Sequence, residues 1–294
     1  MLTHQLATPE NPSRVIVLGG RGFIGRAVRA VLEAAGTPVL APAGAELDLA
    51  ADGSDEQLAA MLRDTDAVVV LAALTPDRGR GRAPLLRNLA MAANVCAAVE
   101  KVSVAHVVYF SSDAVYPTDL ARITEASCAQ PADLYGAMHL TREVMLRTSA
   151  RAPVAILRPT LVYGAGDTHN SYGPNRFRRM ARTERRIALF GEGEEQRDHI
   201  LVDDVAALAS QVLRHRSSGT LNLATGLSIS YAELAHKVAA LFDGPIEVVG
   251  TPRQNPITHR HFDVTALRKA FPTFQLTPLD TGLARAHREM LKAE

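Results

Sequence analysis

Residues 14–25 read RVIVLGGRGFIG, an apolar run that ends in Gly19-x-x-Gly22-x-x-Gly25. No other feature constrains the fold of this chain as tightly. The apolar run has the length of a buried strand, and FIGRAVRAVLEAAG (23–36) follows it as a helix closed by Gly36. Glycines at such a junction permit a tight turn, close backbone approach to a pyrophosphate and close packing of helix on strand. The helix N-terminus then faces the phosphates. Gly19, Arg21, Gly22, Phe23, Ile24 and Gly25 are therefore cofactor-binding candidates, and a purely structural turn is the competing reading.

The same alternation of strand and helix continues to residue 164. Strands are expected at 38–43, 66–74, 105–112 and 153–164, and helices at 54–64, 84–102 and 132–149. Ser54 reads as a helix N-cap, with Gln57 at the capping-box position. Continuous apolar strands separated by helices predict a parallel sheet covered on both faces, an α/β doubly wound arrangement of Rossmann type. The rhythm breaks at the polar, glycine-rich GAGDTHNSYGPN (164–175). A basic helix (175–185), a strand (187–190), a helix (203–215), a strand (220–225), helices near 231–242 and 280–293 and a strand (246–249) follow. The expected organisation is a loose lead-in (1–13), a cofactor-binding domain (14–165) and a smaller, interleaved C-terminal substrate lobe (166–294). Part of 203–225 is expected to return to the first sheet.

Charge and cysteine content narrow the function classes. A net charge of +1 gives no strong field for nucleic acid or an anionic membrane. The basic clusters RGRGR (78–82) and RFRRMARTERR (176–186) read as solvated faces or as part of a ligand site. Two cysteines, Cys96 and Cys128, are too few for a disulfide framework and suit a reducing cytoplasm. No metal-ligand spacing and no run of about 20 apolar residues occurs, so neither a metal nor a membrane span is expected.

Sites that prefer NAD place an acid at the end of the second strand, to hold the ribose hydroxyls. Here that strand ends LAPAG, and Glu46 and Asp48 come several residues late. Arg21 could meet a 2′-phosphate instead, which favours NADP over NAD. At the end of the fourth strand stands FSSDAVYP (110–117), where ligands of such sheets bind. Ser111, Ser112, Asp113 and Tyr116 are thus placed to meet one, and Tyr135 follows on the next helix.

The glycine spacing, SSDAVY, the YGAMH helix and GEGEEQRDHILVDDV (191–205) together resemble the extended short-chain dehydrogenase/reductase family, in its NAD(P)-dependent nucleotide-sugar epimerase/dehydratase branch. The motifs come in family order over residues 14 to about 285. The resemblance implies a nucleoside-diphosphate sugar substrate, Tyr135 as the catalytic tyrosine and Ser112 as the catalytic serine. It also implies that Asp48 and Leu49 contact the adenine, and that Ala72 and Ala73 run beside the nicotinamide ribose. Arg197 is expected to clamp the sugar-nucleotide pyrophosphate, with Arg260 as a second phosphate-binding arginine and Asn175 as a substrate contact. A homodimer through the helices 84–102 and 132–149 is expected by analogy.

Chemistry supports these roles without the family name. Hydride transfer from a sugar carbon requires loss of the hydroxyl proton, which a tyrosine can take if nearby positive charge stabilises its phenolate. Ser112 can donate to the developing carbonyl oxygen, and arginine suits a diphosphate through paired, charge-assisted bonds.

The chain departs from the family at one position. The family places a lysine four residues after the tyrosine, where it holds the ribose and lowers the tyrosine pKa. Here that position is His139, and no lysine occurs between Lys101 and Lys237. Spacing of four keeps both side chains on one helical face. His139, a catalytic and cofactor-binding candidate, could bind the ribose as a neutral ring or tune Tyr135 as an imidazolium. Impaired redox chemistry is the third reading. Asp113 is a further catalytic candidate, but a dehydratase needs an acid–base pair and Asp113-Ala114 supplies half of one. Epimerisation and ketone reduction remain, with a cofactor-binding regulator or scaffold as the alternative from another class.

Overall fold

The computed structural model describes residues 1–167, 169–170, 172–253 and 256–292. Thr168 and Ser171 of the expected polar loop, and Ala293 at the expected end of the last helix, lie outside the described residues. The first half of the chain forms β1 (Arg14–Leu18), α1 (Phe23–Ala34), β2 (Val39–Leu40), α2 (Ser54–Met61), β3 (Asp66–Val70), α3 (Arg82–Lys101), β4 (His106–Phe110) and α4 (Leu134–Ser149). Next come β5 (Val154–Pro159), β6 (Leu161–Tyr163), α5 (Pro174–Glu184), β7 (Arg186–Phe190), β8 (Gln196–Leu201) and α6 (Val202–Arg214). The chain ends with β9 (Gly219–Leu223), β10 (Ser228–Ser230), α7 (Tyr231–Ala239), β11 (Glu247–Thr251), α8 (Thr265–Ala270) and α9 (Leu279–Lys292).

Six strands make one parallel sheet in the order β2-β1-β3-β4-β5-β9, so the fold is α/β and doubly wound. Alternate strand residues feed opposite faces. Val15, Val17, Val69, Val108 and Leu157 pack with Val28 and Leu32 of α1 and Val205, Leu208 and Val212 of α6. Ile16, Leu18, Val68, Val70, Val107 and Ile156 pack with Leu58 of α2, Met91, Val95 and Val99 of α3 and Leu146 of α4. A strand order that reverses between β1 and β3 opens a crevice at their carboxyl ends, and the glycine loop lies there.

After β6 the chain builds two small sheets, β10-β8-β6 and β11-β7, around Tyr163, Phe177, Ile187, Leu189, Tyr231 and Leu234. Between them α6 and β9 return to the large sheet, and Phe262, Val264, Leu267 and Phe271 also pack into its core.

Several elements differ from the sequence expectation. The apolar run 153–164 is two strands. Pro159 ends β5, Thr160 donates to the Leu223 and Asp198 carbonyls, and β6 then pairs with β8. The second strand keeps only two residues, since Pro38 and Pro42 flank an edge position. Ser54 does not cap α2. Gly53, left-handed at φ 74°, holds that position, and the buried Ser54 hydroxyl donates to the Leu49 carbonyl. The lead-in is tied down as well. Thr3 bridges Ser218, and the His4 ring bonds the Ser217 hydroxyl and the Ala270 carbonyl.

Candidate active site

Gly19 closes β1 at φ +91°, and an added Cβ there would stand 2.7 Å from the Ala72 nitrogen. At Gly25 the added atom would lie 2.2 Å from the Gly19 carbonyl oxygen. These two glycines let the loop fold against β3 and let α1 pack on the loop. The start of α1 has no side-chain cap and no acid in its first turn, so its free N–H groups suit a phosphate. Phe23 is buried and Ile24 packs on the core, so both serve the loop through their backbone while their side chains anchor it.

Gly19, Arg21, Gly22, Asp48, Leu49 and Ala72 line a single groove of about 190 Å³. The sequence candidates for the adenine, pyrophosphate and ribose ends thus meet in one place, a groove whose glycine floor and open helix end fit a dinucleotide. Arg21 is exposed at it, and Asp48 pairs with Arg87 at 2.8 Å. Ala73 follows Ala72 outside the groove lining, in a loop held by Asn88, whose amide bonds both backbone groups of Leu74.

At the end of β4, only part of FSSDAVYP faces the cleft. The Ser111 hydroxyl donates to Glu143 at 2.6 Å inside the core. Tyr116 is fully buried and hydrogen-bonds Asn222 and Arg158. Both are structural, contrary to the expectation that they meet a ligand. Ser112 remains half-exposed and accepts from the Ala114 N–H. Tyr135 stands beside it at the start of α4, whose N-cap Asp133 accepts from Gly136 N–H. Burial and the Asp113 carboxylate push the Tyr135 pKa up to about 12, while Arg142 and the Ser112 hydroxyl pull it down.

His139 sits one turn behind Tyr135, the two rings edge to face at 4.7 Å. It is 3% exposed, and burial, with the Arg142 charge, holds its pKa well below 6.5. Of the two readings of this ring, burial favours the neutral one over the imidazolium. Its Nδ1 shares a 2.7 Å hydrogen bond with the Tyr109 hydroxyl, and its buried Nε2 has no partner among the described residues. An orphaned ring nitrogen beside Ala72's strand end and Tyr135 fits a ribose hydroxyl of a nicotinamide dinucleotide.

On the other side of Ser112, Arg260 donates to the Asp113 and Tyr116 carbonyls and pairs with the Asp113 carboxylate at 3.4 Å. Burial raises the Asp113 pKa, opposed by Arg260 and Arg197. Arg197 donates to the Gln196 carbonyl and to the carbonyl and hydroxyl of Thr258. Arg260 thus contacts Asp113 directly, and Arg197 acts on the same carboxylate through its charge alone. Asn175 does not join them. Its oxygen accepts from Gly164 N–H and its nitrogen donates to Asp167, so this buried amide braces the loop before α5. Among the described residues no group of three or more potential metal ligands occurs, and no helix is long and apolar enough to cross a membrane.

Sequence reading missed Tyr109, Gly136, Arg142 and Glu143. Spacing could have signalled Arg142, since 135, 139 and 142 share one helical face.

The model of the NAD dependent epimerase/dehydratase family matches residues 15–224, which include the glycine loop, Ser112 and Tyr135. The chain belongs to that family. A dTDP-L-rhamnose 4-epimerase from Burkholderia thailandensis is 32% identical over 145 residues, 46% of this chain and 40% of the relative, so the match spans less than half of that protein. "Putative GDP-L-fucose synthase 2" of Oryza sativa subsp. japonica is 26% identical over 88% of this chain and 82% of its own. Among solved structures, MoeE5 in complex with UDP-glucose and NAD superposes with a TM-score of 0.82 at 25% identity, covering 95% of this chain and 99% of that one. A GDP-L-fucose synthetase from Naegleria fowleri bound to NADP shares the fold at 17% identity with a TM-score of 0.84, and the family is one of NAD-dependent epimerases and dehydratases.

Proposed function

We propose that this protein is an NAD(P)-dependent oxidoreductase of nucleoside-diphosphate sugars, working as an epimerase through reversible oxidation of a sugar carbinol. The observation that carries the reading is Tyr135 beside Ser112 at the carboxyl end of β4, the same end of the parallel sheet at which β1 runs into the glycine loop. Tyr135 takes the hydroxyl proton, and Ser112 donates to the oxygen as it becomes a carbonyl. The dinucleotide supplies the hydride acceptor. Asp113 with Arg260 and Arg197 forms the polar wall on the sugar side, where the arginines match a diphosphate in charge and geometry.

A 4-ketoreductase uses the same groups and consumes the cofactor; the rice relative that aligns over most of the chain supports keeping it as the second reading. Incubation with a panel of sugar nucleotides, following both cofactor absorbance and product stereochemistry, separates the two. A cofactor-binding regulator or scaffold requires that no member of the panel react.

NADP is the proposed cofactor form. Arg21 is exposed at the groove, and the first acid after β2, Glu46, accepts from the Ala43 N–H. A preference for NAD that survives Arg21→Ala overturns this choice. The exposed Leu86 of α3 and Val144 of α4 support a homodimer through these helices. Sedimentation at the mass of one chain contradicts it.

A further inference from the structure

A lysine after the tyrosine would do two things for the proposed chemistry: hold the ribose and place a permanent charge behind the phenol. His139 is buried and neutral, so it can do only the first. The charge stands one further turn along α4. Arg142 is 1% exposed, and its guanidinium lies 5.1 Å from the centre of the Tyr109 ring. It donates to the Ala72 carbonyl at 2.8 Å and contacts Met138 Sδ at 3.8 Å, while its Nε has no partner among the described residues. Among the described residues it forms no ion pair, because the neighbouring Glu143 is engaged by Arg158 and Arg147.

A guanidinium keeps its charge under all working conditions, and burying one without a carboxylate is costly. Capping the Ala72 carbonyl needs only a neutral donor, so that bond alone does not account for an arginine. Positions 135, 139 and 142 follow the i, i+4, i+7 spacing of one helical face, which aims all three at the end of β3 and the cleft. Tyr109, on β4, lies between them. It packs under Arg142, and among the described residues its hydroxyl has no hydrogen-bond partner but His139 Nδ1.

That single partner fixes the tautomer. Were Nδ1 protonated, two hydrogens would compete for one contact and the buried Tyr109 proton would have no acceptor. With the Tyr109 O–H donating to Nδ1, every hydrogen except the one on Nε2 is satisfied. Burial keeps Tyr109 in its protonated form. His139 then presents Nε2–H, a neutral donor where a lysine would present an ammonium.

We propose that Tyr109 and Arg142 are positioning residues that together with His139 replace the lysine: Arg142 supplies the fixed positive charge behind Tyr135, and Tyr109 holds His139 as the Nε2–H donor to a ribose hydroxyl. The inference rests on the proposed oxidoreductase reading. The charge has opposition to overcome, since Asp113 and Asp133 face Tyr135, and Tyr135 and Glu143 face Tyr109. Arg260 and Arg197 are directed at Asp113, and Arg80 lines a small cleft with Tyr135.

The test compares wild type, Arg142→Gln, Arg142→Lys and Tyr109→Phe. Tyr135 ionisation is read by tyrosinate absorbance of the cofactor-free protein, with Tyr135→Phe as the blank. The His139 tautomer is read by ¹⁵N NMR. Glutamine can still donate to the Ala72 carbonyl but carries no charge. Arg142→Gln should raise the Tyr135 titration, and with it the rising limb of the pH–rate profile, by about one pH unit or more. Arg142→Lys should restore both. Tyr109→Phe should weaken NADPH or NADH binding about tenfold by freeing the ring, with a smaller effect on Tyr135 ionisation.

Wild-type ¹⁵N shifts should report protonated Nε2 and bare Nδ1 at neutral pH. A Tyr135 titration unmoved by Arg142→Gln overturns the charge assignment, and an Nδ1–H or imidazolium His139 overturns the tautomer assignment. If Arg142→Gln fails to fold, the contrast between wild type and Arg142→Lys still decides: an arginine that serves only as a shaped structural donor is not rescued by lysine. Absence of turnover with every sugar nucleotide would remove the proposed function, yet the spectroscopic titrations would still judge this charge pair.

Discussion

At Gly136 an added Cβ would stand 2.1 Å from the Ala114 carbonyl oxygen and 2.8 Å from Pro131 Cβ, so α4 reaches the Ser112–Ala114 turn only with hydrogen at that position. This approach is what brings Tyr135, one residue earlier, beside Ser112. Gly136→Ala should therefore push the helix start away, lowering turnover by about tenfold or more while the fold persists at a cost of roughly 1–3 kcal/mol. Denaturant unfolding read alongside turnover checks it; unchanged turnover in a folded variant contradicts it. The tyrosine and serine were legible because their positions follow from the sheet order and the family motifs. Gly136 was not, because its reason lies in a loop 22 residues away in the chain. Nor could sequence settle the state of His139, since a ring's titration depends on the burial and neighbouring charge that only the fold supplies.

Helix α4 is held to β5 by a buried pair. Arg158 grips Glu143 through Nε at 2.8 Å and Nη2 at 2.6 Å, and Ser111 donates to the same carboxylate. Removing one partner strands the other charge in the core, so Glu143→Met should destabilise the protein by about 3–5 kcal/mol. The double change Glu143→Met with Arg158→Met should cost clearly less than the sum of the single changes, as measured by unfolding of all four proteins. Additive losses would show that the pair is not coupled. Nothing in the sequence marks Glu143 and Arg158 as partners, because they meet only when α4 packs on β5. Strands β1, β3 and β4 were legible because, after the first residue of each (Arg14, Asp66 and His106), they are continuous apolar runs covered on both faces. Strand β8, QRDHIL, was not. It carries three charged or ionisable residues because its ends reach the polar wall of the site, and no periodicity marks it. The break at Pro159–Thr160 was hidden for a different reason: both halves are apolar and only the partner strand changes.

Across the whole molecule, the buried histidines share one consequence. Burial lowers His106 to about 4 and His199 to about 3, and holds His139 well below 6.5. The unfolded chain binds these protons below about pH 6.5 while the folded protein does not, so stability falls as pH drops through that window. His106 alone contributes a loss of roughly 2 kcal/mol between pH 7 and pH 5, levelling off below its folded value. Asp198, raised by burial to about 6, acts in the opposite sense, because the folded state takes up that proton first. Asp113 and Asp204, also raised by burial, act with Asp198, and His287, lowered by burial, acts with the other histidines, so single substitutions are needed to separate the contributions. His106→Gln, which keeps a donor for the Ser217 carbonyl, should flatten the slope in urea unfolding, and a slope unchanged by it contradicts the assignment. The account as a whole turns on Tyr135 as the proton acceptor in sugar oxidation. The most direct measurement is turnover of a panel of nucleoside-diphosphate sugars with NADP or NAD, for wild type and for Tyr135→Phe, following product stereochemistry and cofactor absorbance together. The account predicts a C-epimer formed without net cofactor consumption, and a loss of about 10²–10⁴-fold in Tyr135→Phe with cofactor affinity retained. Equal turnover by the two proteins, or no product from any member of the panel, would contradict it.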